Sequence, residues 1–273
     1  MSNPKRAVPV LLLAALVAHG VPGVEARDDD ALVLMVEPAF PPEQARAVYG
    51  PMVELLSARS GTRIEISAPR SYPAFWTALR NEAPPDMLLS EAAFAAFMMR
   101  HEKMKPVVTL GEPVVYNLLV GSGIAQPTLA SLIGKRVVAA PSPSVAMALV
   151  YDLYRDPIRQ PEIIAFNTSQ NDAAYMLYTG DIDAVMVTAT VAQEFSTVQS
   201  VYTSPAFPAV TVSMSNDLAA PQREAIIGAL LAMPDDEDGG TILLDLGFAK
   251  AGRADPEAFV GQDRVLAEMY GYR

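Results

Sequence analysis

Hydroxyl, amide and carboxylate side chains recur at Tyr72, the Ser90 and Glu91 pair, Tyr116, Ser142, Ser144, Asn171, and Thr188 with Thr190. Groups of this kind bind a small polar solute by hydrogen bonding. Glu91 would repel a dianion and welcome an amine or cation. The serines equally suit helix capping, which needs the same residue types at the same places, and a carboxylate in a first helical turn is favoured by the helix dipole. Catalysis has less to build on. The sequence has two histidines, His19 and His101, no cysteine, and no GxSxG, HExxH, GxxxxGK[ST] or GxGxxG pattern, so neither an enzyme nor a bound cofactor is expected. Met98, His101 and Met104 have helical spacing and a donor set suited to Cu(I). Arg100, Lys103 and Lys105 crowd that segment with positive charge, which makes copper a minor alternative. The acidic run from Asp235 to Asp238 lacks the spaced ligands of a calcium loop and reads as a solvated turn before a helix.

The elements that must position these residues alternate along the chain. ALVLMVE over residues 31–37 reads as a buried strand, 42–60 as a helix stopped at Gly61, and TRIEIS over 62–67 as a strand of period two. A helix over 72–81, a strand over 86–89, a helix over 91–101 and strands over 106–110 and 113–121 follow. The pattern then restarts with a short helix over 128–133, strand 136–140, helix 144–154, strand 162–166, helix 171–179 and strand 183–188. Strands over 198–202 and 210–214 precede a tail that reads as wholly helical from residue 221. Two βαβ series predict an α/β protein of two lobes. Segments near 114–120 and 204–213 would cross between them, so lobe one is expected at 27–113 and 214–273 and lobe two at 114–213. Tyr72, Ser90, Glu91, Ser142, Ser144, Asn171, Thr188 and Thr190 then fall at a strand's carboxyl end or a helix start, the places this architecture aims at an interlobe cleft. Phe40, Phe75, Trp76 and Phe94 read as core first and as a stacking wall second.

The 273 residues carry 20 basic and 31 acidic side chains, a net charge of −11. Nucleic-acid binding needs clustered Lys and Arg and is not expected. Lys5 and Arg6, an apolar run of about 12 residues and Val24-Glu25-Ala26 read as an export signal over residues 1–26, too short to span a bilayer. The absence of cysteine suits the oxidising compartment to which it would lead.

Residues 49–61 (YGPMVELLSARSG), SYPAFWTALRNEAPPDMLLS, LASLIGKRVVAA, FNTSQNDAAYMLYTGDIDAVMVT and TSPAFPAVTVS occur in this order over nearly the whole mature chain. In order and spacing they resemble the phosphate, phosphite and phosphonate-type periplasmic substrate-binding proteins of ABC transporters. The resemblance implies a type 2 periplasmic-binding fold with a discontinuous first lobe, and a monomer that closes on a small polar or anionic solute. It also implies an ABC permease as partner. A sensory accessory of a membrane histidine kinase, differing in neighbours and not in fold, is the alternative. The family's Ser-Thr-Ser-Gly oxyanion turn matches Ser144-Val145-Ala146-Met147, its histidine matches Asn171, and a first-lobe tyrosine matches Phe94. A phosphonate there would be short of donors by several contacts, which puts phosphonate itself in question.

Overall fold

The computed structural model describes residues 31–80, 84–166 and 168–270, with side chains to residue 267. The proposed export signal, and Asn81 at the expected end of the second helix, lie outside these residues. The first sheet begins with β1 (Leu32–Val36), β2 (Ile64–Ser67) and β3 (Met87–Ser90), joined by α1 (Pro42–Ser60) and α2 (Tyr72–Arg80). Gly61 ends α1 at φ 66°, the left-handed conformation expected of it. Next come α3 (Ala92–Arg100) and β4 (Met104–Leu110).

The chain then enters a second sheet through β5 (Tyr116–Val120). There it adds β6 (Arg136–Ala139), α4 (Val145–Leu153), β7 (Glu162–Ala165), α5 (Gln170–Thr179), β8 (Ala184–Thr188), α6 (Ala189–Glu194) and β9 (Gln199–Thr203). It returns to the first sheet with β10 (Val210–Ser215), α7 (Ala220–Ala232), α8 (Glu237–Asp245), β11 (Ala251–Arg253) and α9 (Arg264–Tyr270).

The first sheet has the order β11-β4-β10-β3-β1-β2 and the second β7-β6-β8-β5-β9. β1 is parallel to both β2 and β3, and β6 to both β7 and β8. β4, β10 and β11 run antiparallel in the first sheet, as β5 and β9 do in the second.

Two expectations are corrected. Residues 210–213, expected in lobe two, belong to β10, which lies between β3 and β4: apolar Val210, Val212 and Met214 alternate with Thr211 and Ser213, and both edges of the strand are paired. The tail is not wholly helical, because β11 pairs with β4 at the edge of the first sheet. Three residues are too few to show a period of two, and the helices flanking β11 hide it in the sequence.

Two apolar clusters lie on opposite faces of the first sheet. Leu34, Val36, Met87 and Leu89 face α1 and α7, whereas Met35 and Leu88 face α2 and α3. α3 (AAFAAFMMR) is buried on nearly all sides because the sheet lies beneath it and Phe259 and α9 pack against it. This second cluster continues from Trp76, Phe94 and Phe97 through Tyr116 into Leu118 and Val187 of the second lobe, and takes in Leu266 of α9. α9 itself packs on α4 of lobe two and on α3 of lobe one. The crossover is a pair of antiparallel segments. Val114 is bridged to Phe207, and Tyr116 and Ser204 exchange bonds, with the Ser204 amide donating to the Tyr116 carbonyl at 2.9 Å and the Tyr116 amide to Ser204 Oγ at 2.9 Å.

Candidate functional site

β1 and β3 are neighbours and parallel, so the residues just past their carboxyl ends, Glu37 and Glu91, emerge side by side. The Glu91 amide donates to Glu37 Oε2 at 2.8 Å, and Tyr72, the first residue of α2, donates its hydroxyl to Glu37 Oε1 at 2.8 Å. Glu91 stands at the N-cap of α3 but makes no side-chain capping bond there. Its Oε1 instead accepts the Tyr116 hydroxyl from the start of β5. Tyr116 pairs in register with Thr188 at the carboxyl end of β8, so it stands on the edge of lobe two that faces the cleft. One chain of bonds, Tyr72 to Glu37 to Glu91 to Tyr116, thus joins the two lobes beside their crossover.

The electrostatics of this chain are unusual. Glu37 and Glu91 are half-buried and enclosed by protein, and neither has an ion-pair partner among the described residues. Burial pushes the Glu37 carboxyl up to about 8, and the neighbouring Glu91 charge adds to this against the opposing hydrogen bonds from the Glu91 amide and Tyr72. Burial likewise raises Glu91 to about 7, against the bond from Tyr116. Carboxyls this close titrate as a pair, with the second proton held because two like charges cannot both be solvated there. The phenols around them stay protonated. Tyr72 and Tyr116 are raised well above the usual tyrosine range by burial and by the glutamates, and Tyr49 of α1 to about 12 by burial and Glu37.

Among the other expected residues, Ser90, Ser144 and Asn171 have side-chain polar atoms engaged locally. Ser90 is buried and its hydroxyl donates to the Glu91 carbonyl at 3.3 Å. Ser144 is the N-cap of α4, accepting the Met147 amide at 3.1 Å and donating to the Ala140 carbonyl at 2.7 Å. That is the capping geometry that its residue type also allowed. Val145 and Ala146, where the family has hydroxyls, are buried in the first turn of α4. Asn171 donates to Glu194 of α6 at 2.9 Å, and the Thr188 amide donates to the Gln170 side chain at 2.8 Å. Ser142 is half-buried in the turn that leads from β6 to α4.

Phe94 is sealed in the core with its ring centroid 5.1 Å from Phe75 and 6.1 Å from Trp76. Met98 and Met104 are buried, and His101 is exposed with its ring centroid 4.4 Å from Phe97. No group of three or more His, Cys, Asp or Glu side chains placed to hold a metal ion occurs among the described residues. Asp236 caps α8, accepting the Gly239 amide at 2.6 Å, as expected of an acidic turn before a helix.

Glu37 is the residue that the sequence reading missed. Its signal is a charged residue ending a buried strand and followed by Pro38, the same strand-end position that singled out Ser90 and Glu91. A separate groove of about 260 Å³, lined by Leu129, Leu153, Tyr154, Arg155 and Arg159, lies near the start of β6 and the end of α4.

The fold has close parallels among solved structures. A Xanthomonas citri protein bound to ATP superposes with a TM-score of 0.70 at 12% identity, over 88% of this chain and 99% of that one. PhnD1 from Prochlorococcus marinus in complex with methylphosphonate gives 0.70 at 12% identity, over 89% and 99%. The binding protein component of an ABC phosphonate transporter from Pseudomonas aeruginosa gives 0.68 at 12% identity, over 84% and 83%. These neighbours share the type 2 periplasmic-binding fold, and at such identities they speak for the fold alone. No curated protein sequence matches the chain. The model of the phosphonate ABC transporter periplasmic substrate-binding family matches residues 34–259, most of the chain, and the protein belongs to that family.

Proposed function

We propose that the protein is the extracytoplasmic solute-binding component of an ABC importer and that its solute carries a positively charged group. In this reading the protein is exported by residues 1–26, acts as a monomer, and closes its lobes on the solute by hinge motion before meeting the permease. The observation that carries the choice of solute is the Glu37 and Glu91 pair at the cleft edge of lobe one, with no cationic partner among the described residues. Two carboxyls in a setting of low dielectric oppose a phosphonate dianion and attract an amine or guanidinium. The loss of hydroxyls at Val145 and Ala146 points the same way, because a buried oxyanion needs donors to replace its water.

Tyr72 from lobe one and Tyr116 from lobe two would flank a cation placed on the pair, and their rings add attraction at close range. The rest of the solute would lie towards Ser142, Asn171 and Thr188 on lobe two. Contacts on both lobes that form together only on closing are what allow a solute to shift a hinge equilibrium. A thermal-shift and calorimetric series with agmatine, putrescine, L-arginine and choline, set against methylphosphonate and inorganic phosphate, tests this choice. A stabilising cation with inert phosphonate is the expected result. Stabilisation by methylphosphonate or phosphate with every cation inert would overturn it.

A further inference from the structure

We infer that without solute the Glu37 and Glu91 pair holds a proton, that closing lobe two over the pair takes this proton up, and that a cationic solute replaces it. The first two statements stand on the enclosure of the pair and the raised proton affinity that burial gives it; the third rests on the reading of the solute given above.

Both carboxyls belong to lobe one, and their enclosure is completed from lobe two. Tyr116 places its hydroxyl on Glu91 Oε1, and its ring lies edge-on to Phe207 at 6.2 Å between centroids, on the returning crossover segment. The ionisable groups that face the pair are Tyr49 from α1, Tyr72 from α2 and Tyr116 from β5, all phenols with raised pKa values. None of them supplies positive charge at neutral pH. With the lobes apart, water reaches Glu91 and solvates its charge; with Tyr116 seated, that water is replaced by one hydroxyl and apolar surface. Closure therefore raises the affinity of the pair for a proton. By linkage, a proton raises the tendency to close by the same factor.

The bond from Tyr116 favours the ionised form of Glu91, and the Glu91 charge disfavours ionised Glu37. The proton is accordingly carried by Glu37. An ammonium or guanidinium on the pair compensates the charge that the proton otherwise removes, so the two are alternative occupants.

Trp76, the single tryptophan, reports on this region without a label. Its ring lies 6.1 Å from Phe94 and 4.5 Å from Phe97, in the apolar cluster that continues into lobe two through Tyr116. His101 packs against Phe97 with its ring tilted, and it is itself lowered from 6.5 by burial and by Arg100 and Lys103, so emission is read above pH 6.5, clear of its titration.

The test uses the full exported chain, free of solute, with emission and small-angle scattering recorded from pH 6.5 to 9.5 for wild type, Glu37→Gln and Glu91→Gln. A transition is expected in wild type, with a larger radius of gyration on the alkaline side, and in Glu37→Gln it should move down towards 7, where Glu91 alone titrates. An unchanging wild type, or the same transition in both variants, overturns the proton-linked closure. Agmatine titrations in two buffers of different ionisation enthalpy then count protons. Release of about one proton is expected, with affinity falling about tenfold per pH unit below the titration of the pair. Agmatine binding with no proton release overturns the exchange and leaves the cation reading standing. A pH transition with no binding by any cation overturns the cation reading and leaves the proton-linked closure standing.

Discussion

Replacing Tyr116 with Phe removes one oxygen from the only hydrogen bond that the described residues of lobe two make to the Glu37 and Glu91 pair, and leaves the ring against Phe207 in place. The size of the effect depends on the charge of Glu91. Above its titration, near 7, the hydroxyl serves a carboxylate, and hydrogen bonds to charged groups contribute roughly 1.5–3 kcal/mol. Below it the partner is a neutral carboxyl, and the contribution falls to roughly 0.5–1.5 kcal/mol. Chemical denaturation of wild type and Tyr116→Phe at pH 8.5 and pH 5.5 should therefore give a larger loss at the higher pH. A melting shift of roughly 2–4 °C for each kcal/mol should accompany it. Tyr175→Phe serves as the control, because Tyr175 is 61% exposed and its contacts are with the rings of Tyr178 and Phe195. It should change stability by less than about 0.5 kcal/mol at both pH values. Equal losses for Tyr116→Phe at the two pH values would refute the argument, since the bond would then be indifferent to the charge that it is held to serve.

Further outcomes follow from local geometry. Ser144→Ala should cost about 1 kcal/mol in denaturation, the usual loss of a helix cap, because its hydroxyl accepts the Met147 amide. Gly239→Ala should cost roughly 1–3 kcal/mol despite gaining helix propensity. Its Cβ would meet the Met233 carbonyl oxygen at 2.7 Å and Cα at 2.9 Å, backbone atoms that cannot turn aside, and a Tm equal to wild type would contradict this. Stability should also depend on pH through Glu37, whose carboxyl is raised from 4.5 to about 8 on folding. The folded chain binds the extra proton between those values, so this contribution is complete below about 4.5 and is lost as pH rises through about 8. Asp236 acts in the opposite sense, since the Gly239 amide and Arg59 hold it below its usual range, and its contribution is lost as pH falls. Denaturation profiles from pH 6 to 9 should decline in wild type through about 8, whereas in Glu37→Gln the decline should end near 7, where the contribution of Glu91 is lost and Asp236 is ionised throughout.

How far the sequence led can be argued residue by residue. α1 over Pro42–Ser60 was legible to the residue because proline opens it and Gly61 closes it, both through local backbone chemistry. β11 was not, because its only partner is β4, more than 140 residues earlier in the chain, and its three residues carry no period. The same distinction divides the site. Glu91 stood out beside Ser90 at a strand-to-helix corner, a local signal. Glu37 occupies the equivalent corner after β1, but its importance arises only when β3 pairs with β1 and brings the Glu91 amide to within 2.8 Å of its carboxylate. The serines show the converse. Ser144 has the residue type and the position of a ligand contact, and hydrogen bonding decides the matter, since its hydroxyl is engaged with Met147 and Ala140. Type and spacing select the candidates, and the donors and acceptors left over after folding determine which of them face a ligand. In the proposed site Glu37 and Glu91 have no ion-pair partner among the described residues, and the stretch that resembles the family's oxyanion turn is the apolar start of a helix at Val145 and Ala146. A family model reads the shared framework, which is why membership of a phosphonate-type family is compatible with the cationic solute proposed for this chain.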